Sequence, residues 1–295
     1  MPESSRTLQS DTGTLARVLV KDVRDAFVSP GAIGAQWAPL NYTGAPDFEE
    51  ACREGASFAA LLRDMGVEVV SAPPADVGMD SLYVRDASVV CDHGAILCSM
   101  GKEARRREPA AVAQAYDVLG IRVAGAIAGA GRLEGGDVVW LAPRTVAVGR
   151  GYRTNAEGIG QLRDLLDGVA DEVIEVHLPH WNGPADVFHL MSVLSPLAED
   201  LALVYSPLLP VSFREELVAR GIGLVEVPDE EFDSMGCNVL AVAPRRVVAL
   251  EGNPITRRRL EEAGVEVRTY RGEEVSVKGC GGPTCLTRPL ERVRS

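Results

Sequence analysis

The chain has 295 residues, 46% apolar and 24% charged, with a formal net charge of −12. That length can bury a large core, and that apolar content excludes general disorder. The acidity argues against a nucleic-acid or anionic-membrane partner and leaves room only for a local basic pocket.

Residues 1–14 are polar and mixed in charge, with no apolar stretch of the kind a signal peptide needs. They read as a flexible tail ahead of one domain, 15–295, with no internal linker. The most apolar region, Val187–Val211, is broken by Glu199, Asp200 and three prolines, so it is not a membrane span. The six cysteines form no CxxC pair and no zinc-type spacing with histidine. They read as reduced thiols of a cytoplasmic protein.

A weak internal repeat runs along the chain. Short Gly-led strands start at Gly66, Gly120, Gly221 and Gly264, with a degenerate one at Glu172. The starts recur at intervals of about 43 to 54 residues. An amphipathic helix precedes each one, over 58–65, 110–119, 156–166, 213–220 and 256–263. Strand pairs precede the helices: Leu82–Val90 with Ala95–Cys98, Asp137–Leu141 with Thr145–Val148, and Val239–Val242 with Val247–Leu250. Tight-turn residues join them. A ββαβ unit of this size cannot bury its own apolar face. A closed ring of units solves that, so the expected fold is a five-bladed α/β propeller with a polar site on its axis. Five unrelated βα elements in an ordinary α/β domain is the plain alternative.

The residues able to do chemistry fall at related places in the units. Asp80 and Asp86 lie in DSLYVRD, leading into a strand. Arg105 lies in an arginine run that opens a helix, and its bland reading is a solvated face. Glu134 and Asp137 lie in LEGGD, where two glycines let carboxylates turn inward; a surface turn is the bland reading. Arg153 precedes a helix N-terminus that suits a carboxylate. His189 starts an inner strand, where a satisfied core histidine is the commoner case. His93, His177 and His180 have no metal-ligand spacing. Cys285 sits in KGCGGPTCLTRPL, whose glycines and proline exclude helix or strand interior. It is either a nucleophile on a tight loop or a buried thiol. In a ring these places converge. Carboxylates at the centre would take a cation and arginines at the rim a carboxylate, the two ends of arginine and its derivatives.

GGPTC with Cys285, DVFHL with His189, LEGGD with Glu134 and YVRD with Asp86 resemble the motifs of the guanidino-group-modifying pentein superfamily. The match covers about Asp80 to Leu290, and its spacing is most similar to the dimethylarginine dimethylaminohydrolases. That resemblance implies the five-bladed fold, Cys285 as nucleophile, His189 as general acid/base and Glu134 as its supporting carboxylate. It implies Asp86 on the guanidinium, Asp80 on the substrate's α-amino group, and Arg105 and Arg153 on its α-carboxylate. It implies hydrolysis of dimethylarginine to citrulline and dimethylamine, without metal or cofactor, on a small guanidino substrate, and is compatible with a homodimer. Arginine deiminase, amidinotransferase, a hydrolase of another guanidino compound, and a non-enzymatic binding factor are the alternatives. The chain departs from the family at three places. Arg85 stands where these hydrolases carry Glu. Met191 stands where deiminases and amidinotransferases carry Asp, and Cys280 where hydrolases carry Asp.

Overall fold

A computed structural model describes residues 5–294. Its strands form five separate sheets, four of three strands and one of four. Chain order explains the arrangement.

The first sheet begins with β1 (Ser5–Thr7) and β2 (Thr14–Lys21), continues through α1 (Val23–Phe27), α2 (Pro30–Gln36) and α3 (Phe48–Asp64), and ends at β3 (Glu68–Ala72). The second holds β4 (Ser88–Cys91), β5 (Gly94–Leu97), α4 (Glu108–Val118) and β6 (Val123–Ala126). The third holds β7 (Val138–Ala142), β8 (Thr145–Arg150), α5 (Ala156–Leu165) and β9 (Glu172–His177). The fourth holds β10 (Leu194–Ala198), β11 (Leu201–Val204), α6 (Val211–Ala219) and β12 (Gly223–Glu226). The fifth holds β13 (Leu240–Ala243), β14 (Arg246–Leu250), α7 (Pro254–Glu262) and β15 (Glu266–Tyr270). In each of the last four units an antiparallel hairpin is followed by a helix and a parallel third strand. The helix is the crossover that a parallel pair requires.

The first sheet is completed differently. Its antiparallel partner for β2 is the last strand of the chain, β16 (Arg288–Arg294), giving the order β1-β16-β2-β3. The expected tail is corrected here. Residues 1–4 lie outside the described residues, but β1 pairs with β16 and Gln9, Asp11 and Thr12 are buried.

Local chemistry accounts for the helix limits. The Asp47 side chain accepts a hydrogen bond from the Glu50 N–H to start α3, and Asn155 does the same for Gly158 at α5. Each long helix ends on a glycine with positive φ, at Gly66, Gly120, Gly168, Gly221 and Gly264, the left-handed stop that costs glycine least. The buried faces supply the core, with Leu62 of α3, Leu162 of α5, Leu217 of α6 and Leu260 of α7 fully enclosed. The expected strand over Leu82–Val90 is also corrected: Met79–Leu82 is a short 3₁₀ turn and only Ser88–Cys91 is strand. The segment between is drawn off by distant partners, because the Arg85 N–H donates to the Cys285 carbonyl and the Gly135 N–H to that of Asp86. No helix among the described residues is long and apolar enough to cross a membrane.

Under the inner strands lies a buried charge cluster. Arg85 Nη2 donates to Asp11 Oδ1 at 2.7 Å, and the Trp140 N–H donates to Asp11 Oδ2 at 2.8 Å. Arg288 and Arg292 of β16 are buried beside them, and burial lowers both guanidinium groups to about 10. Asp11 is the carboxylate set against these cations, so Asp11→Ala leaves buried arginines uncompensated. We expect a loss of about 3–5 kcal/mol, read as a lower urea midpoint with an unchanged slope.

Candidate active site

The site is assembled from one short segment per sheet, each just ahead of the strand that runs antiparallel to that sheet's parallel pair. Asp86 precedes β4, Glu134 precedes β7, His189 precedes β10, Asn238 precedes β13 and Cys285 precedes β16. A strand cannot continue through these segments, because their backbones turn. Two glycines make the turns close enough. A Cβ on Gly136 would lie 2.5 Å from His189 Nδ1 and 2.8 Å from Asp86 Oδ1, and one on Gly281 would strike the Tyr83 ring. Cys280, at the bend of the last loop, holds a φ of 56°, rare for a side chain with a Cβ.

Glu134 is fully buried. Its Oε2 lies 2.8 Å from His189 Nε2 and 3.4 Å from Arg153 Nη1. Its Oε1 accepts from the Gly101 N–H at 2.9 Å. With Nε2 committed to Glu134, His189 keeps Nδ1 for other use, 3.8 Å from Asp86 Oδ1. Burial pulls the imidazole down, but Asp86, Asp137 and the Glu134 hydrogen bond outweigh it and raise it to about 9. Burial works against the Glu134 carboxylate too, yet His189 and Arg153 hold it below the usual range. Both shifts run the same way: the pair exists as imidazolium and carboxylate at neutral pH.

Asp86 accepts from Arg105 Nη1 at 2.6 Å and from the Gly136 N–H at 3.1 Å. Cys285 is half-buried and accepts from Asn238 Nδ2 at 3.2 Å. Burial, then the Asp86 charge, push its thiol up to about 12. Cys285 and His189 line two adjoining openings, one shared with Asn238 and Gly136 and one with Asp80 and Asp86. The void that the residues' chemistry demands is therefore present.

All seven residues singled out in the sequence come to this region, but three are engaged differently from expectation. Asp80 Oδ2 already accepts from Lys102 Nζ at 2.7 Å. Arg105 spends its guanidinium on Asp86, on both oxygens of Glu108 and on the carbonyls of Asp80 and Tyr83. Arg153 lies behind Glu134 and donates to the Asp186 carbonyl at 3.2 Å. Both guanidinium groups are engaged by protein acceptors, Arg105 by Asp86 and Glu108 and Arg153 by Glu134 and the Asp186 carbonyl. Their burial is the reason, since a buried guanidinium must be paired.

Sequence reading missed Asn238 and Lys102. Asn238 was detectable in principle, because it too lies in the short segment just ahead of its strand, two residues before β13. Lys102 carried no such signal. Asp86, Glu134 and His189 each offer a ligand atom within 4.8 Å of the others. Those atoms already accept from or face N–H groups, a set arranged for hydrogen bonding more than for ligating an ion.

Comparison with known proteins agrees with this geometry. Residues 43–292 match the family model described as N,N dimethylarginine dimethylhydrolase, eukaryotic. The chain is 30% identical over 294 residues to an N(G),N(G)-dimethylarginine dimethylaminohydrolase of Streptomyces coelicolor, covering 99% of both. It is 31% identical over 246 residues to an arginine deiminase of Rhodococcus erythropolis, spanning 72% of this chain and 60% of that relative. Among solved structures, dimethylarginine dimethylaminohydrolase of Pseudomonas aeruginosa complexed with citrulline superposes with a TM-score of 0.75 at 22% identity, covering 93% of this chain and 98% of that one. An amidinotransferase of saxitoxin biosynthesis from Microseira wollei gives 0.76 at 18% identity, covering 99% and 98%. The chain therefore belongs to the guanidino-modifying pentein superfamily, with a dimethylarginine dimethylaminohydrolase-like relationship, and is an amidine-hydrolysing enzyme.

Proposed function

We propose that the five units close into a ring and that the enzyme hydrolyses a guanidine on its axis through a covalent Cys285 intermediate. The observation that carries this reading is the convergence of Cys285, protonated His189 and Asp86 on one opening, with ionised Glu134 buried behind His189.

Cys285 rests as a thiol. A bound guanidinium, adding positive charge beside Sγ, favours loss of the thiol proton to solvent and leaves the thiolate. Asp86 accepts guanidinium N–H groups and turns the central carbon toward sulfur. The S–C bond forms, and the C–N bond to the departing amine breaks as His189 gives that nitrogen a proton. The result is a thiouronium on Cys285. Neutral His189 then takes a proton from water. The hydroxide adds to the same carbon, the C–S bond breaks, and a ureido product leaves with the thiol restored. Glu134 steadies the imidazolium throughout. N,N-dimethylarginine, giving citrulline and dimethylamine, is the reference substrate that the relatives' names supply. Arg105 and Arg153 act behind Asp86 and Glu134 as positioning residues, and Asp80 faces the same opening through its Lys102 pair.

The chemical step is tested by substitution. Cys285→Ser is expected to lower ureido product by at least about 10³-fold with an unchanged thermal melt, and His189→Ala by about 10²–10⁴-fold with a lowered melt, because buried Glu134 loses a cation. Near-normal turnover in either variant removes the mechanism. Adding glycine as acceptor should leave the ureido yield unchanged; amidino transfer would divert it.

The pH profile gives an independent check. His189 must be protonated to expel the amine, and its raised value keeps it so through neutrality. Single-turnover amine release should therefore persist at pH 7–8 and fall as pH climbs through about 9. In Glu134→Gln the fall should move to lower pH, because a main support of the charge is gone.

A further inference from the structure

We infer that the guanidine hydrolysed here carries a large apolar substituent and no carboxylate. The inference rests on the hydrolytic reading above and adds the substrate class to it.

The opening around Cys285 has two unequal sides. The polar side, bounded by Asp80, Asp86, Lys102 and Arg105, offers only about 40 Å³. The other side is a chamber of about 390 Å³ whose walls include Trp181, Phe188, Met191, Phe232 and Met235. That volume falls within the range of pockets that enclose drug-sized ligands. Cys285 and His189 line both sides, so a guanidino carbon held at sulfur can project a substituent into the chamber.

The polar side is already satisfied from within. Lys102 Nζ lies 2.7 Å from Asp80 Oδ2 and 2.8 Å from the Leu40 carbonyl. A substrate ammonium would need those acceptors, and an internal ammonium holds them. Arg105 is saturated by Asp86 and Glu108, so no guanidinium is left there for a carboxylate. An α-amino acid head therefore finds neither of its partners.

The chamber's charge excludes a carboxylate as well. The charged residues on its wall besides His189 are Asp186, Asp233 and Arg85, and the Arg85 guanidinium is committed to Asp11. An anionic substituent would face two acids and no free cation. The apolar surface, by contrast, is preorganised. Phe232 stacks on Tyr205 with centroids 3.9 Å apart and meets Trp181 edge-on at 6.4 Å. Trp181 nonetheless remains 41% exposed at the rim, a large apolar surface with no internal cover. Met191, 4% exposed, stands where the deiminase pattern places an acid, so the wall near His189 is apolar.

The chemistry is the hydrolysis already described. Sulfur bonds the guanidino carbon, one C–N bond breaks with its nitrogen protonated by His189, and water breaks the C–S bond. A retained substituent gives an N-substituted urea and ammonium, and a departing one gives urea and the amine.

The test compares 2-phenylethylguanidine and 4-phenylbutylguanidine with N,N-dimethylarginine, arginine and agmatine on the full chain, reading ureido product. We expect kcat/KM for at least one aryl-alkylguanidine to exceed that for dimethylarginine at least about tenfold. Trp181→Ala should shrink that ratio, and Phe232→Ala should do the same if its melt is unchanged. Lys102→Ala, which frees Asp80, should move the ratio toward dimethylarginine. If dimethylarginine, arginine or agmatine is the preferred substrate in a Cys285-dependent reaction, the inference is overturned and the hydrolase reading stands. If no guanidine gives ureido product and none leaves an adduct mass on Cys285, the hydrolase reading falls and takes the inference with it.

Discussion

Glu134 and His189 meet at 2.8 Å where almost no solvent reaches either side chain, and most of the site follows from that contact. A buried carboxylate without a cation is costly, as is a buried imidazolium without an anion. Each makes the other's charged form the stable one. The pair then needs its own surroundings fixed. Gly101 and Arg153 hold Glu134 from behind, while Asp86 approaches the free face of the imidazole and is itself held by Arg105. The arginines expected to meet substrate are drawn into this inner shell, because the carboxylates could not stay charged and oriented without them.

The nucleophile arrives by a separate route. Cys285 stands three residues before β16, and β16 is the strand that completes the first sheet against β2. The same strand brings Arg288 and Arg292 to the buried cluster around Asp11. Placing the thiol and joining the two chain ends are thus one structural event. Loosening of the terminal pairing would be felt at sulfur, although β16 itself contains no site residue. The thiol reaches its position protonated, since burial and Asp86 both oppose the thiolate. Its reactivity is therefore conditional on a cation arriving beside it.

The two sides of Cys285 differ in how much of their polarity is spent. Asp80, Lys102, Arg105 and Glu108 neutralise one another, so that side contributes order and little free binding capacity. The aromatic and methionine side has the opposite character, with mostly apolar surface. Binding energy on that side would come from removing apolar area from water, which is tolerant of shape but intolerant of buried charge.

Much of this was decided by local sequence. The four Gly-led strands and the fifth at Glu172, the helices before them and the stop glycines are set by periodicity and turn chemistry acting over a few residues, and the structure places them where the pattern does. Cys285, His189, Glu134 and Asp86 were also legible, because glycines and strand starts mark their positions. What only tertiary structure decided is who pairs with whom. Lys102 takes Asp80, Arg105 takes Asp86 and Glu108, Asn238 reaches Cys285, Asp11 leaves its supposed tail for Arg85, and the last strand returns to the second. Those contacts span up to hundreds of residues in sequence, and each depends on how the units meet. No local pattern encodes that, since burial and charge compensation exist only once the units are assembled.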